Sequence, residues 1–276
     1  MSSTSEKFNT SYYLIKKNDT TPIVFIHGVG LTKEIWHPQI DFFKNHNILT
    51  YDLIGHGNTP LEKTQLNFED FTKQLLNLID ELNINKIHLV GFSLGSLIAR
   101  HFASEHSDRL GSLVLHGSIY KRSIEQKRVV ENRYELIKNS RSTSKKSSLR
   151  RWFSQEFIKN NKEIYDKIYA MLENIDHKNL LKAYKLFVFY EDDDDMINKI
   201  KANTLVTTGQ FDVGSTIEMA QNLSNQIKNS KYIEIKNGKH LCNIECAKDF
   251  NKTIELFIDQ DRSEEHTSEL QSRTNL

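Results

Sequence analysis

A serine between two glycines is the residue of this chain whose setting most directly suggests chemistry. Ser93 stands in Gly91-Phe-Ser-Leu-Gly95, after the run Lys86–Val90 and before a helical pattern over Leu94–Ser104. A G-x-S-x-G pentapeptide is weak evidence alone, but between a strand and a helix it predicts a nucleophile elbow, whose tight turn projects the serine hydroxyl from the sheet. The glycines let strand and helix approach closely, and the helix N-terminus supplies amide donors.

A serine hydroxyl is a poor nucleophile, so it requires a base, and the base requires an orienting acid. The chain offers both in the order serine, acid, histidine. Asp212 follows the strand pattern Thr204–Thr207, and His240 follows Tyr232–Ile235. Open α/β sheets place their ligands at the carboxyl ends of strands, so we predict Ser93 as nucleophile, His240 as base and Asp212 as acid. Rival acids at 192–195 precede their strand and are interpreted as a solvated linker or helix end.

The stretch His27-Gly-Val-Gly30 follows another strand pattern, Ile23–Ile26. An oxyanion hole requires two convergent N–H donors, and we predict the amides of Val29 and Leu94. One such donor contributes about 3–4 kcal/mol of transition-state stabilisation. His27 itself is interpreted as a residue that stabilises the turn rather than as a proton carrier.

Short β-branched runs separated by helical patterns predict the elements that position these residues. One helix is predicted over Phe68–Leu82, with Asn67 as its cap. The alternation indicates an α/β fold with a mostly parallel sheet covered by helices on both faces. The predicted strands are Tyr12–Ile15, Ile23–Ile26, Ile48–Tyr51, Ile87–Val90, Leu113–Leu115, Thr204–Thr207 and Tyr232–Ile235.

The alternation stops between Ile119 and Ile200, where four helical patterns and no convincing strand occur. The patterns centre on Val130, Tyr134 and Ile137; on Leu149, Trp152, Phe153 and Phe157; on Ile164, Ile168 and Leu172; and on Leu181, Tyr184, Phe187 and Val188. We therefore predict an α/β core of residues 1–119 and 201–261, with a helical insertion at 120–200. Within it, Lys121–Arg151 holds eleven Lys or Arg against three Glu. Such a run can draw anionic substrates, but a solvated helix face is the more common case and the one we favour. Residues Ser140–Ser148 are predicted to be a flexible polar loop.

Several of these motifs together resemble the α/β-hydrolase fold family, most closely its lid-bearing branch of esterases, enol-lactonases and C–C bond hydrolases. They are HGVG at 27–30, DLIGHGNT at 52–59, GFSLG at 91–95, and the contexts of Asp212 and His240. The resemblance implies that the insertion caps the active site and that 52–59 is a structural turn bordering the pocket. Phe92 replaces the Asn that C–C hydrolases typically carry before the nucleophile, which favours ester or lactone hydrolysis.

These residues predict a cofactor-free serine hydrolase that cleaves a small or medium carboxylic ester or lactone through an acyl-enzyme. Three alternatives remain open at this point. The first is C–C hydrolysis of a ring-cleavage product, and the second is transfer to an acceptor other than water, as in acyl transfer or perhydrolysis. The third is a non-catalytic ligand receptor on the same fold. The sequence does not predict an oligomeric state.

Composition excludes several other classes. The 276 residues carry a net charge of +1, which argues against a nucleic-acid partner. Apolar runs are too short to span a membrane, and the polar segment Met1–Lys7 lacks a signal peptide's apolar stretch, so we expect a cytoplasmic protein. Cys242 and Cys246 with His240 resemble a metal pattern, but at helical spacing we interpret both cysteines as packing residues and expect no metal.

The end of the chain has a different character. Residues 262–272, RSEEHTSELQS, resemble the in-frame translation of a common sequencing-library adapter. We therefore interpret 262–276 as a non-native tail and expect the natural chain to end near Asp261; the alternative is a natural disordered terminus. On either interpretation the tail contributes no site residue.

Overall fold

Eight strands form one sheet at the centre of the molecule. The computed structural model describes residues 2–7, 9–17, 20–139 and 143–274, with the side chains of residues 2, 143–144 and 261–274 excepted. The strand order is β1-β2-β4-β3-β5-β6-β7-β8. In chain order the strands are β1 Ser2–Thr4, β2 Ser11–Ile15, β3 Ile23–Ile26, β4 Ile48–Tyr51, β5 Ile87–Phe92, β6 Leu110–His116, β7 Asn203–Gly209 and β8 Ser230–Ile235.

The sheet is mostly parallel, as the sequence predicts. Strands β4, β3, β5, β6, β7 and β8 pair in parallel, while β1 and β2 join one edge in antiparallel pairing. All seven predicted strands are present, and five of them extend one to three residues further at one or both ends. Strand β1 was not predicted, because Ser2–Thr4 contains no apolar residue and its pairing with β2 lies at an edge.

Helices cover both faces of the sheet because the strand side chains alternate between two apolar layers. Val24 and Ile26 of β3 face one layer, and Ile23 and Phe25 face the other. The first layer receives helices α2 Phe68–Glu81, α3 Leu94–Glu105 and α10 Ile217–Gln226. The second receives α1 His37–Phe42, α11 Cys242–Glu245 and α12 Ala247–Thr274. Asn67 caps α2 as predicted, accepting a hydrogen bond from the amide of Asp70.

Between β6 and β7, the described residues form helices and no strand. We call these helices, α4 to α9, the inserted helices. They are α4 Ile124–Asn139, α5 Thr143–Trp152, α6 Gln155–Asn160, α7 Lys162–Asn174, α8 His177–Val188 and α9 Asp194–Ile197. The sequence predicted one helical pattern where α5 and α6 lie, and this was wrong, because Ser154 starts α6 by accepting a hydrogen bond from the Phe157 amide.

The predicted polar loop over 140–148 is also corrected in part. Residues 140–142 lie outside the described part of the chain, but α5 begins at Thr143, so residues 143–148 are helical. Serine and lysine are tolerated in a helix when its other face packs, and Leu149 and Phe153 at the end of this segment are fully buried.

Arg100 joins both ends of the insertion to the core. This residue of α3 is fully buried, and its guanidinium donates to the carbonyl of Ile119 at 3.0 Å and to Asp192 Oδ1 at 2.8 Å. The other oxygen of Asp192 accepts the amide of Lys121 at 2.6 Å. The residues that enter and leave the inserted helices therefore meet at one arginine. Asp192 was predicted to be solvated, but its ion pair with Arg100 is largely buried.

The C-terminal helix α12 extends to Thr274, beyond the position near Asp261 where we expect the natural chain to end. The interpretation of 262–276 as a non-native tail stays a prediction. Within the described ranges, no helix is both long enough and apolar enough to cross a bilayer.

A buried ion pair fixes the loop that follows β3. Lys33 Nζ lies 2.8 Å from Asp52 Oδ2 and also donates to Ser11 Oγ at 2.9 Å, and the Lys33 and Asp52 side chains are only 5% and 1% exposed. Asp52 accepts the Lys33 amide at 2.8 Å as well, while the Thr59 hydroxyl donates to the Asp52 carbonyl. The turn at 52–59 is thus tied both to β2 and to the loop after β3.

Removal of the cation should destabilise the fold strongly. Lys33→Met leaves the Asp52 carboxylate buried without its counter-charge, so we expect the free energy of unfolding to fall by about 3–5 kcal/mol. Urea denaturation of the variant and the wild type measures this. Lys73→Ala, which removes an ion pair with Glu69 at the surface, is the matched control and should leave the urea midpoint nearly unchanged. Equal midpoints for the two variants would contradict this account.

Candidate active site

Ser93 lies in a strained turn between β5 and α3. Its φ of 55° and ψ of −115° are unfavourable for a residue with a Cβ. The turn is possible because α3 starts directly against the sheet. A Cβ at Gly95 would lie 2.4 Å from the Ile26 carbonyl oxygen, and one at Gly91 would lie 2.3 Å from the Gly95 carbonyl oxygen. Glycine is therefore required at both positions, as the pentapeptide predicts.

The structure brings together the three residues that the sequence predicts as nucleophile, base and acid. His240 Nε2 lies 3.2 Å from Ser93 Oγ, and His240 Nδ1 lies 2.6 Å from Asp212 Oδ2. Asp212 comes from the turn after β7, and His240 from the segment between β8 and α11. The His240 side chain is 12% exposed and that of Asp212 is 2% exposed. Both side chains are therefore largely shielded from solvent.

Hydrogen bonds to Asp212 determine which nitrogen of His240 carries the proton. Burial alone would raise the pKa of Asp212, but the His240 charge and hydrogen bond, with the amides of Ser215 and Gly214, outweigh it and lower that pKa. These amides donate to Asp212 Oδ1 at 3.0 and 2.8 Å. The ionised carboxylate must accept from Nδ1–H, so Nε2 is left with a lone pair toward the Ser93 hydroxyl.

The two residues whose amides are predicted for the oxyanion hole adjoin Ser93. A Cβ placed on Gly28 would lie 3.2 Å from Ser93 Cβ, so the loop that carries Val29 touches the Ser93 turn. Leu94 is the first residue of α3, where an amide has no acceptor within the helix. Among the described residues, no backbone carbonyl accepts from the Val29 or Leu94 amide outside regular elements.

His27 has the structural role that the sequence predicts. Its Nε2 accepts the Leu53 amide at 3.0 Å, and its Nδ1 donates to the Gly28 carbonyl at 2.8 Å. The ring is fully buried, which lowers its pKa to about 4 despite the nearby Asp52 charge. A histidine that is neutral and bonded at both nitrogens holds the loop instead of moving protons.

His116 is a neighbour of the site that sequence reasoning missed. It ends β6, is fully buried, and stacks on Phe92 with ring centroids 5.3 Å apart. Burial lowers its pKa to about 3, with the His240 charge acting in the same direction. Its Nε2 lies 3.5 Å from Cys242 Sγ, whereas Cys246 donates to the Lys236 carbonyl, so the two cysteines contact different groups. A histidine at a strand end carries no signal that separates this packing role from catalysis.

A cavity of about 300 Å³ lies between the strand ends and the inserted helices. Its floor includes Ser93, His240, Asp212 and Val29, and its roof is one face of each of three helices. Lining positions recur at three- and four-residue steps, as expected for one helix face. They are Glu125, Gln126, Val129, Val130, Arg133 and Ile137 on α4, Lys145, Ser148, Arg151 and Trp152 on α5, and His177, Leu180, Tyr184 and Phe187 on α8, and α7 adds Leu172.

Trp152 brings the roof into contact with the proposed base. Its ring centroid lies 6.2 Å from that of His240, and the Leu241 amide donates to the Trp152 carbonyl at 3.1 Å. Tyr184 and Phe187 line the cavity too, whereas Phe153 is fully buried away from it. Three of these four aromatic residues therefore line the cavity.

Comparison with known proteins identifies the family. Residues 21–246 match the model of the α/β hydrolase fold. The chain therefore belongs to the α/β-hydrolase fold family, which confirms the resemblance drawn from its motifs.

Two curated relatives and one solved structure extend this finding. The chain is 28% identical over 257 residues to (E)-2-((N-methylformamido)methylene)succinate hydrolase of Acinetobacter baylyi, covering 91% of this chain and 95% of the relative. It is 27% identical over 239 residues to 3-oxoadipate enol-lactonase 1 of the same organism, covering 86% and 88%. The enol-lactonase structure from Burkholderia xenovorans superposes with a TM-score of 0.82 at 24% identity, covering 91% and 97%. Each bears an enzyme's name, and the prediction of an α/β-hydrolase enzyme is confirmed at this level.

The strain at Ser93 can be measured with a pair of substitutions. Ser93→Gly removes the Cβ that makes φ 55° unfavourable, whereas Ser93→Ala keeps it. We expect the glycine variant to be the more stable by about 1 kcal/mol, although glycine normally destabilises through the unfolded chain. Thermal denaturation of the two variants side by side measures the difference. A glycine variant less stable than the alanine variant would mean that the turn is not strained.

Proposed function

We propose that this chain is a serine hydrolase that cleaves a small or medium carboxylic ester or lactone through an acyl-enzyme. The observation that carries the proposal is the alignment of Ser93 Oγ, His240 and Asp212 at 3.2 and 2.6 Å on the floor of the cavity. A hydroxyl, an imidazole lone pair and a buried carboxylate in this order are the parts required for nucleophilic acyl transfer.

In the first half-reaction, Ser93 Oγ attacks the substrate carbonyl carbon while its proton passes to His240 Nε2. Asp212 stays ionised and stabilises the imidazolium that forms. The carbonyl oxygen becomes an oxyanion, which the amides of Val29 and Leu94 bind. The intermediate then collapses, the bond to the leaving oxygen breaks, and that oxygen takes the proton from His240. The acyl group remains on Ser93, and in a lactone the leaving alcohol stays attached to it.

The second half-reaction runs the same steps with water. His240 Nε2 removes a proton from water, whose oxygen attacks the acyl carbonyl within the same oxyanion hole. Collapse returns the proton to Ser93 Oγ and releases the carboxylic acid. Every proton in this cycle moves through one nitrogen, so the lone pair that Asp212 maintains on Nε2 is required twice.

The cavity supports the proposed substrate class. Its volume of about 300 Å³ suits a small or medium substrate, and Val130, Ile137 and Leu180 give it apolar walls. Phe92 is fully buried, with its ring 4.8 Å from that of His240, so it presents no polar group to a substrate. One curated relative is named as an enol-lactonase and another as a hydrolase, which supports hydrolysis and a lactone or ester bond.

We also propose that residues 120–200 act as the cap of this site. The inserted helices supply most of the cavity lining, and Trp152 of α5 contacts His240. Enclosure by the cap limits water around the oxyanion, which strengthens its hydrogen bonds to the two amides.

Loss of the nucleophile should abolish turnover and covalent labelling together. For Ser93→Ala we expect turnover of a 4-nitrophenyl ester to fall on the order of 10⁶-fold. A fluorophosphonate probe should label the wild type on Ser93 and leave this variant unlabelled, as intact-protein mass spectrometry would report. Near-normal turnover by Ser93→Ala would refute the assignment.

Asp212→Asn tests the protonation state of the base. The amides of Gly214 and Ser215 would hold the asparagine carbonyl where Asp212 Oδ1 lies, so its amide group would face His240 Nδ1. The imidazole would then carry its proton on Nε2 and could not accept that of Ser93. We expect kcat to fall on the order of 10⁴-fold, measured on the same ester. Thr208→Val, which alters a hydroxyl 3.5 Å from Asp212 Oδ2, is the mild comparison.

A panel of 4-nitrophenyl esters of rising chain length, with lactones added, discriminates among the alternatives. Ester or lactone turnover with fluorophosphonate labelling supports the proposal. Labelling without ester or lactone turnover would favour hydrolysis of a C–C bond or transfer to an acceptor other than water. The absence of both would indicate a ligand receptor instead of an enzyme.

A further inference from the structure

Three arginines bring positive charge into the same cavity as Ser93. Arg133 lies on α4, Arg151 on α5, and Arg122 directly before α4, and each lines the cavity. All three side chains are half-buried, whereas Arg128, Lys138 and Lys146 of the same basic run are exposed. The run was predicted to be a solvated face, and that interpretation fits only its outward residues.

The lysines and arginines of this region differ in their partners. Lys121, Lys127 and Lys145 form ion pairs with Asp194, Glu191 and Glu173. Among the side chains that the structure describes, no carboxylate forms an ion pair with Arg122, Arg133 or Arg151. Arg122 instead donates to the carbonyls of Phe187 and Val188 at the end of α8, and its guanidinium lies 4.5 Å from the Phe187 ring.

Arg133 and Arg151 are held by hydroxyl groups. Arg151 donates to Ser147 Oγ at 2.8 Å and to Ser148 Oγ at 3.0 Å, one turn back on its own helix. The Tyr184 hydroxyl forms a hydrogen bond with Arg133, and it lies close enough to Arg151 and Arg122 for their charges to act on its pKa. A guanidinium has five N–H donors, so each of these two groups retains donors for a further acceptor.

This concentration of like charge is unfavourable without an anion. Burial lowers the pKa of Arg151 to about 10, and the Arg133 charge acts in the same direction. Burial also lowers the pKa of Arg122 to about 10, with the nearby Asp192 and Glu191 acting against the shift. Cations that are partly desolvated and close together destabilise a fold unless an opposite charge is bound between them.

The carboxylates near the cavity do not supply that charge to Arg133 or Arg151. Glu125 lines the cavity, but its side chain is exposed and forms no ion pair with these arginines among the described contacts. Asp212 lies on the floor, where His240 and two amides already occupy its oxygens. The cavity therefore combines an apolar wall, a nucleophile on its floor and unneutralised guanidinium groups in its roof.

We propose that Arg133 and Arg151 bind a carboxylate of the substrate, so that the enzyme acts on anionic esters or lactones that carry a free carboxylate in addition to the bond that is cleaved. The inference rests on the proposed function, because it places the scissile carbonyl at Ser93. Guanidinium groups suit this task since they match a carboxylate with parallel N–H donors and stay charged. Arg122 adds positive potential, and its Nη1 group is bound to the two carbonyls at the end of α8.

A matched pair of substrates tests the proposal. The first is the 4-nitrophenyl hemiester of adipic acid, and the second is the same compound with its free carboxyl group methylated. Release of nitrophenolate reports cleavage of the same bond in both. We expect the wild type to show the higher kcat/KM for the anionic hemiester, mainly through a lower KM. The preference should decline as salt is added, because the attraction is electrostatic.

Arg133→Gln and Arg151→Gln should each lower the ratio of kcat/KM between the anionic and the neutral ester by 10- to 100-fold. Arg128→Gln is the matched control, because Arg128 lies on α4 but is exposed and outside the cavity lining, and it should keep the wild-type ratio. The proposal would be overturned if the wild type did not prefer the anionic ester. It would also be overturned if all three variants kept the wild-type ratio of kcat/KM values.

Calorimetry separates this inference from the proposed chemistry. Adipate should bind to the Ser93→Ala protein, and adipamide should bind to it at least 10-fold more weakly. Adding Arg133→Gln or Arg151→Gln to this protein should weaken the binding of adipate to a similar degree. Equal affinities for adipate and adipamide would overturn the anion site, even if the enzyme were an active esterase. Conversely, an unlabelled and inactive wild type that still binds adipate through these arginines would refute the hydrolase and keep the anion site.

Discussion

The close approach of helix α3 to the sheet is the constraint on which the rest of the site depends. With a Cβ at Gly91 or Gly95 the helix could not start where it does, and the backbone could not hold Ser93 at φ 55°. That one contact fixes the direction of the Ser93 side chain, leaves the Leu94 amide without an acceptor in the helix and brings the loop after β3 against Ser93. The strained turn costs free energy, and the apolar side chains that α3 and its neighbouring helices bury against the sheet offset that cost.

The core and the inserted helices contribute different features to the cavity. On the core side, a buried ion pair between Lys33 and Asp52 and a neutral His27 hold the loop beside Ser93. The roof consists of helix faces that carry both apolar side chains and guanidinium groups such as that of Arg151. In the proposed function the floor carries out the chemistry and the roof selects the substrate, so the two can vary independently.

Much of this could be predicted from sequence because the signals are local. Because Ser93, Asp212 and His240 each follow a strand pattern, the sequence alone predicts that they lie together at the carboxyl ends of β5, β7 and β8. The sequence-based predictions were wrong where tertiary contacts determine the structure. Strand β1 forms by pairing at the sheet edge although its three residues have no apolar pattern. Two helices occur where one was predicted, because Ser154 caps the start of α6. The burial of Arg133 within a run of solvated charges depends on which face of α4 meets α8, and composition does not contain that information.

Arg100 has a consequence for how this fold diversifies. Because the Ile119 carbonyl and the Asp192 carboxylate meet at one guanidinium, the chain leaves the core and returns to it at nearly the same place. A segment with adjoining ends can be lengthened, shortened or exchanged without stretching the sheet, since closing it costs little extra entropy. The inserted helices could therefore be exchanged as a unit, with Ser93 and His240 left in place on the core.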